Sequence, residues 1–172
     1  MIGWQERQDI LVKVLIVSDS HGRNANLIKA IDNMKGSLDL LIHLGDSQCS
    51  LEEIEALAGC PVEMVKGNSD SFLLNAPKEK VISIGPHKAL LTHGHLYGGA
   101  WGIDAMKQTA RDNGAGIVMF GHIHEPIVES YSDVVVINPG SISQPRQEGR
   151  RPTYVVMTVE DDGRTDYVKV EM

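Results

Sequence analysis

Six short runs rich in Val, Ile and Leu punctuate this chain, and each stops abruptly at a polar cluster containing Gly or Pro. Val12–Val17 stops at Ser18-Asp19-Ser20-His21-Gly22, and Leu40–Ile42 passes through His43-Leu44 into Gly45-Asp46. Val62–Val65 ends at Lys66-Gly67-Asn68-Ser69-Asp70, and Ala89–Leu91 at Thr92-His93-Gly94-His95. Ile117–Phe120 ends at Gly121-His122-Ile123-His124, and Val134–Ile137 at Asn138-Pro139-Gly140-Ser141. Short β-branched runs closed in this way predict buried strands.

Helical patterns lie between several of them. Asn24 or Asn26 is placed to cap a helix carrying Leu27, Ile28, Ile31 and Met34 on one face, with Gly36 as its stop. Ser50 with Glu53 three residues later forms a capping-box pattern, opening a helix through Ile54 and Leu57 to Gly59. A third helix is expected from about Ile103 to Asn113, ending at Gly114. Strand–helix alternation predicts parallel strands with helical crossovers. The tail differs: Thr153–Val159, Asp161-Asp162-Gly163 and Thr165–Val170 predict a hairpin turning at Asp-Gly.

With 172 residues the chain suits a single domain over 1–172, with residues 1–11 as a polar extension. Its net charge of −7 argues against a nucleic-acid groove or a membrane-surface role, which need basic faces. Cys49 and Cys60 are too few for a disulfide framework, and the polar start Met1–Asp9 is unlike a signal peptide, so a cytoplasmic protein with no membrane span is expected. Residues Gln144 to Pro152 form a polar loop; its arginines, Arg146, Arg150 and Arg151, are suited to contact a phosphate or simply to be solvated.

In open α/β sheets ligands bind beyond the carboxyl ends of the strands. Five of the runs deliver a metal-type ligand there: Asp19 and His21, then Asp46, Asn68, His93, and finally His122 with His124. Each alone is explained by turn chemistry; their coincidence is not. Imidazole, carboxylate and one amide, with no thiolate, suit Mn, Fe, Zn, Co or Ni. Seven donors exceed what one ion with an open position uses, so two ions are expected with one carboxylate between them, at a spacing of roughly 3.5–4 Å suited to displacement at phosphorus.

Asp19-Ser20-His21, Gly45-Asp46, Gly67-Asn68, His93 and Gly121-His122-Ile123-His124 resemble, in order, the motifs of calcineurin-like metallophosphoesterases, over roughly Val14 to Arg146. The form with Gly-Asn-x-Asp, His-Gly-His and Asn-Pro-Gly-Ser is similar to the small bacterial and archaeal phosphodiesterases of the YfcE type. That resemblance implies a four-layer α-β-β-α sandwich of two mixed sheets flanked by helices. It also implies a pair of divalent ions per chain, manganese first among the candidates, and a small phosphodiester as substrate. One ion would take Asp19, His21, Asp46 and His124; the other would take Asp46, Asn68, His93 and His122. A metal-bound hydroxide would attack phosphorus in line, and a small homo-oligomer would fit.

Where many members have Gly-Asn-His-Glu, this chain has Gly67-Asn68-Ser69-Asp70, and Ser69 cannot serve as an imidazolium acid. His95 is the candidate for that role, or else a hydrogen-bond donor behind the ligands. His43 is expected to pack rather than ligate, His87 to lie at the surface, and Asn138–Ser141 to form a turn bordering the site; Tyr97 and Trp101 are candidates to line a substrate pocket. Two other readings stay open: a protein-interaction scaffold on the same fold, like the retromer subunit, and a hydrolase with a single zinc.

Overall fold

The computed structural model describes residues 10–172, with side chains from residue 12 onward. The extension expected over 1–11 falls outside the described residues, except that positions 10 and 11 already belong to the first strand. The strands are β1 (Ile10–Val17), β2 (Leu40–His43), β3 (Val62–Met64), β4 (Glu79–Ile84), β5 (His87–Thr92), β6 (Ile117–Met119), β7 (Pro126–Ser130), β8 (Val135–Pro139), β9 (Thr153–Glu160) and β10 (Thr165–Glu171). The α-helices are α1 (Ala25–Asn33), α2 (Leu51–Ala58) and α3 (Ile103–Asp112). Ten strands form two five-stranded sheets, ordered β10-β9-β1-β2-β3 and β4-β5-β6-β8-β7.

Alternation along the strands sorts side chains into three apolar layers. Val14, Ile16 and Ile42 of the first sheet meet Leu91, Ile117, Met119 and Ile137 of the second between the sheets. Leu15, Val17 and Leu41 turn the other way, onto Leu27, Ala30 and Ile31 of α1 and Ile54 of α2. Leu90, Val118 and Val136 turn outward from the second sheet onto Met106 and Ala110 of α3. The result is the α-β-β-α sandwich. Parallel pairing of β1, β2 and β3, and of β5, β6 and β8, sends the carboxyl ends of each trio the same way.

The α2 capping box is present, with Ser50 Oγ accepting from Glu53 N–H at 3.2 Å and Glu53 Oε2 accepting from Ser50 N–H at 2.7 Å. The start of α1 differs from expectation. Asn24 stands at the N-cap without capping; its amide donates to Cys49 Sγ, while Asn26 donates to the Ile142 carbonyl. Ile28 is exposed rather than packed, because the buried face of so short a helix is filled by Leu27, Ala30 and Ile31.

Two strands gave no apolar run to read: β4 and β7 are the edges of the second sheet, with one face or most of the strand open to water. The tail hairpin forms as expected, but β9 pairs with β1, so the end of the chain completes the first sheet. No helix among the described residues is long and apolar enough to cross a membrane.

Candidate metal centre

Both parallel trios end at one edge of the sandwich, and there the candidate ligands meet. Asp19 and His21 follow β1, Asp46 follows β2, Asn68 follows β3, His93 follows β5, and His122 and His124 follow β6. Two groups of side chains are close enough to hold an ion: Asp19 with His21 and His124, and Asp19 with Asp46 and His93. Asp19 Oδ1 lies 3.1 Å from His124 Nε2 and 3.8 Å from His93 Nε2. Asp46 Oδ2 lies 3.4 Å from His93 Nε2 and 3.8 Å from His21 Nε2, while the residue common to the two groups is Asp19. His122 stands outside both groups with its ring edge-on to His93, centroids 5.2 Å apart. Asn68 is exposed on the loop after β3.

Two imidazoles are oriented with Nε2 forward by what lies behind them. His93 Nδ1–H donates to the Leu44 carbonyl at 2.7 Å, and His124 Nδ1–H donates to the Gln144 carbonyl at 2.7 Å. A carbonyl partner of this kind sets the tautomer and leaves the other nitrogen's lone pair pointing forward. Forward of His93 its Nε2 and Asp19 Oδ1 are both buried without a well-formed hydrogen bond, although Asp46 Oδ2 stands 3.4 Å from the first and His124 Nε2 3.1 Å from the second. Burying two such acceptors unpaired is costly unless something positive sits between them. The site therefore fits a divalent cation.

The carboxylates are held as firmly. Ser18 Oγ donates to Asp19 Oδ2 at 2.6 Å and His122 N–H to the same oxygen at 3.1 Å, while Ser141 and Ser143 hydroxyls both donate to the Asp19 carbonyl. Ser69 donates twice to Asp46, from N–H to Oδ1 at 2.8 Å and from Oγ to Oδ2 at 3.2 Å. Buried Asp70 accepts from Gly67 N–H and Gln48 N–H at 2.8 Å and from Ser47 N–H at 3.3 Å, tying the Asp46 loop to the Asn68 loop.

Burial favours the protonated acid at Asp19 and Asp46, but it is outweighed by neighbouring histidines, His124 and His93 for Asp19 and chiefly His93 for Asp46. Both carboxyls therefore stay below the ordinary carboxylate range. Burial pushes His93 down, but hydrogen bonding and charge from Asp46 and the charge of Asp19 bring it out above the usual value.

Backbone geometry marks the same place. Outside glycine, left-handed φ values occur at Asp19, His21, Asp46, His122 and His124, and otherwise only at Gln48 and Arg150 among the described residues. Such conformations cost roughly 1–3 kcal/mol each and persist where surrounding structure enforces them. The glycines of the motifs do a different job. A Cβ at Gly67 would collide with Asp46 Oδ1, one at Gly121 with Ser18 Oγ, and one at Gly45 would sit 2.7 Å from His93 Nδ1. The Gly before Asp46, Asn68 and His122 is the absence of a side chain where two loops of the site touch.

His43 packs, as expected, and its role is specific. Gly45 N–H donates to Nδ1 at 3.2 Å, leaving Nε2–H to donate to Ser20 Oγ at 2.9 Å. A second ring proton would face the Gly45 N–H, and burial pushes the imidazole down to about 4. His87 is not simply a surface residue: it is half-buried and hydrogen-bonds the Gly163 carbonyl at 2.6 Å, pinning the tail hairpin to β5.

His95 adjoins the centre, its ring 5.4 Å from His93 and 6.2 Å from His122, with Nδ1 buried and unpartnered. Burial and the adjacent His93 and His122 push its pKa down. Tyr97 is engaged elsewhere, donating to Glu79 at 2.6 Å, and Trp101 is 98% exposed. The expected turn over Asn138–Ser141 starts later, because Asn138 and Pro139 still belong to β8, but the segment borders the site, with Asn138 donating to the Gly121 carbonyl and Ser141 to that of Asp19. Ser18, Ser143 and Asp70 were not singled out from the sequence; only Asp70, closing the Gly-Asn-Ser-Asp element, carried any signal.

The model of the calcineurin-like phosphoesterase superfamily domain matches residues 12–162. The probable metallophosphoesterase YsnB of Bacillus subtilis is 37% identical over 154 residues, covering 90% of this chain and 88% of the relative. Phosphodiesterase MJ0936 of Methanocaldococcus jannaschii is 29% identical, covering 75% of this chain and 83% of the relative. Among solved structures, vacuolar protein sorting 29 of Cryptosporidium parvum superposes with a TM-score of 0.74 at 20% identity, covering 95% of this chain and 99% of that one, a likeness of fold alone.

Proposed function

The chain belongs to the calcineurin-like phosphoesterase superfamily, and from that membership we propose that it is a dinuclear metal-dependent phosphodiesterase acting on small substrates in the cytoplasm. One ion takes Asp19, His21, Asp46 and His124; the other takes Asp46, Asn68, His93 and His122, with manganese first among Mn, Zn, Fe, Ni and Co. When bound, the ions supply an activated water as nucleophile and positive charge for the phosphoryl oxygens in the transition state. The observation that carries this reading is the pair of buried, unpartnered acceptors, Asp19 Oδ1 and His93 Nε2, 3.8 Å apart.

The chain's own residues hold the geometry. Ser69 and Asp70 fix Asp46, while Ser18, Ser141 and Ser143 fix Asp19. Asn68 and His122 present an amide and an imidazole at the open side. His95 stands beside the centre as the candidate to meet the leaving oxygen, but burial and the neighbouring His93 and His122 disfavour the protonated ring that would act as its acid. Ser69 cannot take over, because its hydroxyl is engaged by Asp46. Turnover is therefore expected to fall steeply as the leaving group becomes more basic.

A partner-binding scaffold of the same fold is separated from this reading by turnover rather than by metal binding alone. Metal analysis of purified protein, with hydrolysis of bis(p-nitrophenyl) phosphate, tests the proposal. Two ions per chain and metal-dependent turnover are expected. One ion at saturation with full turnover would defeat the dinuclear reading, and no turnover with two ions bound would return the scaffold.

A further inference from the structure

The arginines of this chain are unevenly placed. Arg111 and Arg164, remote from the metal centre, are both ion-paired, with Asp133 and with Asp162 and Glu160. Arg23, Arg146, Arg150 and Arg151 are exposed and, among the described residues, make no ion pair. All of these unpaired arginines lie on the two segments that flank the His21–His124 pair, whose ring centroids are 5.3 Å apart. Arg23 sits two residues past His21, its N–H donating to the Ser20 carbonyl at 2.8 Å. Arg146 N–H donates to the His124 carbonyl at 3.0 Å, while the His124 ring donates to the carbonyl of Gln144.

The loop beyond Arg146 is folded back on itself. Arg150 N–H donates to the Gln147 carbonyl at 3.0 Å, and the Gln147 amide donates to the Arg151 carbonyl at 2.6 Å. Over residues 20–24 and 144–152, which carry the four arginines, the one acidic residue is Glu148, so four arginines less one glutamate leave +3 on these stretches of a chain whose net charge is −7. A guanidinium presents a rigid fork that matches phosphate oxygens in bidentate fashion, and an exposed one is already free to do so.

We propose that Arg23 and Arg146, extended by Arg150 and Arg151, form a phosphate-binding rim on the His21–His124 side, and that the substrate is a phosphodiester carrying a further phosphate group. The reacting phosphate occupies the metal centre and the additional one lies against the arginines, so the proposal rests on the phosphodiesterase reading for its first half. A diester without a second anionic group uses only the centre. Contact with the rim is electrostatic and weakens as salt screens it.

The test has two arms. The first compares kcat/KM for a matched pair of p-nitrophenyl diesters, identical except that the retained arm of one ends in a phosphate. The second measures binding of inorganic tripolyphosphate to metal-free protein by calorimetry at low and high salt, which needs no turnover. Wild type is expected to prefer the phosphate-bearing ester. Arg23→Glu/Arg146→Glu should cut that preference and the tripolyphosphate affinity by about tenfold or more, the scale of losing charge-assisted hydrogen bonds. Arg164→Glu, which removes the same kind of charge from the far hairpin, should leave the preference where it was. Equal preference in wild type and the double variant, or equal tripolyphosphate affinity in the two, overturns the rim. Failure of both esters in every protein, with tripolyphosphate binding lost only in the double variant, overturns the phosphodiesterase reading and leaves the rim standing.

Discussion

The candidate ligands divide into an inner and an outer set. Asp19, Asp46, His93 and His124 are buried, and each is gripped from behind by serines, backbone N–H groups or a carbonyl. His21, Asn68 and His122 are partly or fully open, with no comparable support. The inner set is held by hydrogen bonds of the fold itself. In the outer set His21 and His122 share the left-handed backbone of Asp19, Asp46 and His124 but lack their buried side-chain support. Preorganisation of this site is therefore graded, from the sandwich outward.

The largest effect should come from Asp46→Asn. Asp46 Oδ2 lies near both His21 and His93, so the change removes charge facing both of the proposed ion positions. Turnover is expected to fall by on the order of 10³-fold, the scale of losing a strong electrostatic contact at the transition state, with at least one ion lost on metal analysis. Excess metal should not restore it. Near wild-type turnover with both ions present would erase the distinction between inner and outer ligands.

Asp70→Asn comes next, since Asp70 touches no ion and acts only through the loops of Asp46 and Asn68. Metal affinity should drop by about 10–100-fold, as for other groups behind ligands. Amide exchange at Gly67 and Gln48 should quicken while exchange in β1 stays slow. Unchanged affinity would mean that the Asp46 loop holds itself.

His122→Ala samples the outer set. Turnover at limiting metal is expected to fall by about tenfold to a hundredfold, the scale of a weakened ligand shell, and to recover substantially when metal is raised. If recovery fails as completely as for Asp46→Asn, the two sets are not different in kind.

The smallest effect is on stability and concerns His43, behind the inner set. Its folded pKa, about 4, lies below the unfolded value of 6.5. The unfolded chain therefore binds the proton first, so the stability His43 contributes is complete above pH 6.5 and is lost as pH falls toward 4. The loss reaches about 2 kcal/mol at pH 5. Urea unfolding of chelated wild type and His43→Gln between pH 7.5 and 5 reads this as a difference, in which other titrating groups cancel. Parallel pH dependence in the two proteins would show that the ring is not held neutral.

Much of this was legible in the chain itself. Val14 to Val17 announces a strand because β-branched residues fill both faces, and Asp19 announces a ligand because a polar cluster follows where a parallel strand ends. Ser50 and Glu53 signal a helix start because both partners of the capping box lie within one turn. By contrast β7, beginning at Pro126 and mostly exposed, has no apolar face to reveal it. Asn24 looks like a cap, but its amide is claimed by Cys49, a contact 25 residues away.

The sequence alone determined which residue types stand at the strand ends, and with them the chemistry open to the site: imidazole, carboxylate and amide, with no thiolate. It also determined the glycines that let those ends touch. Tertiary structure decided which candidate ligands are held by hydrogen bonds from behind. Ser141 and Ser143 reach the Asp19 carbonyl across more than 120 positions, and Leu44 orients His93 from 49 residues away. Contacts at such separations leave no periodicity or local spacing to read, because they exist only once two sheets have packed and brought their carboxyl ends to one edge.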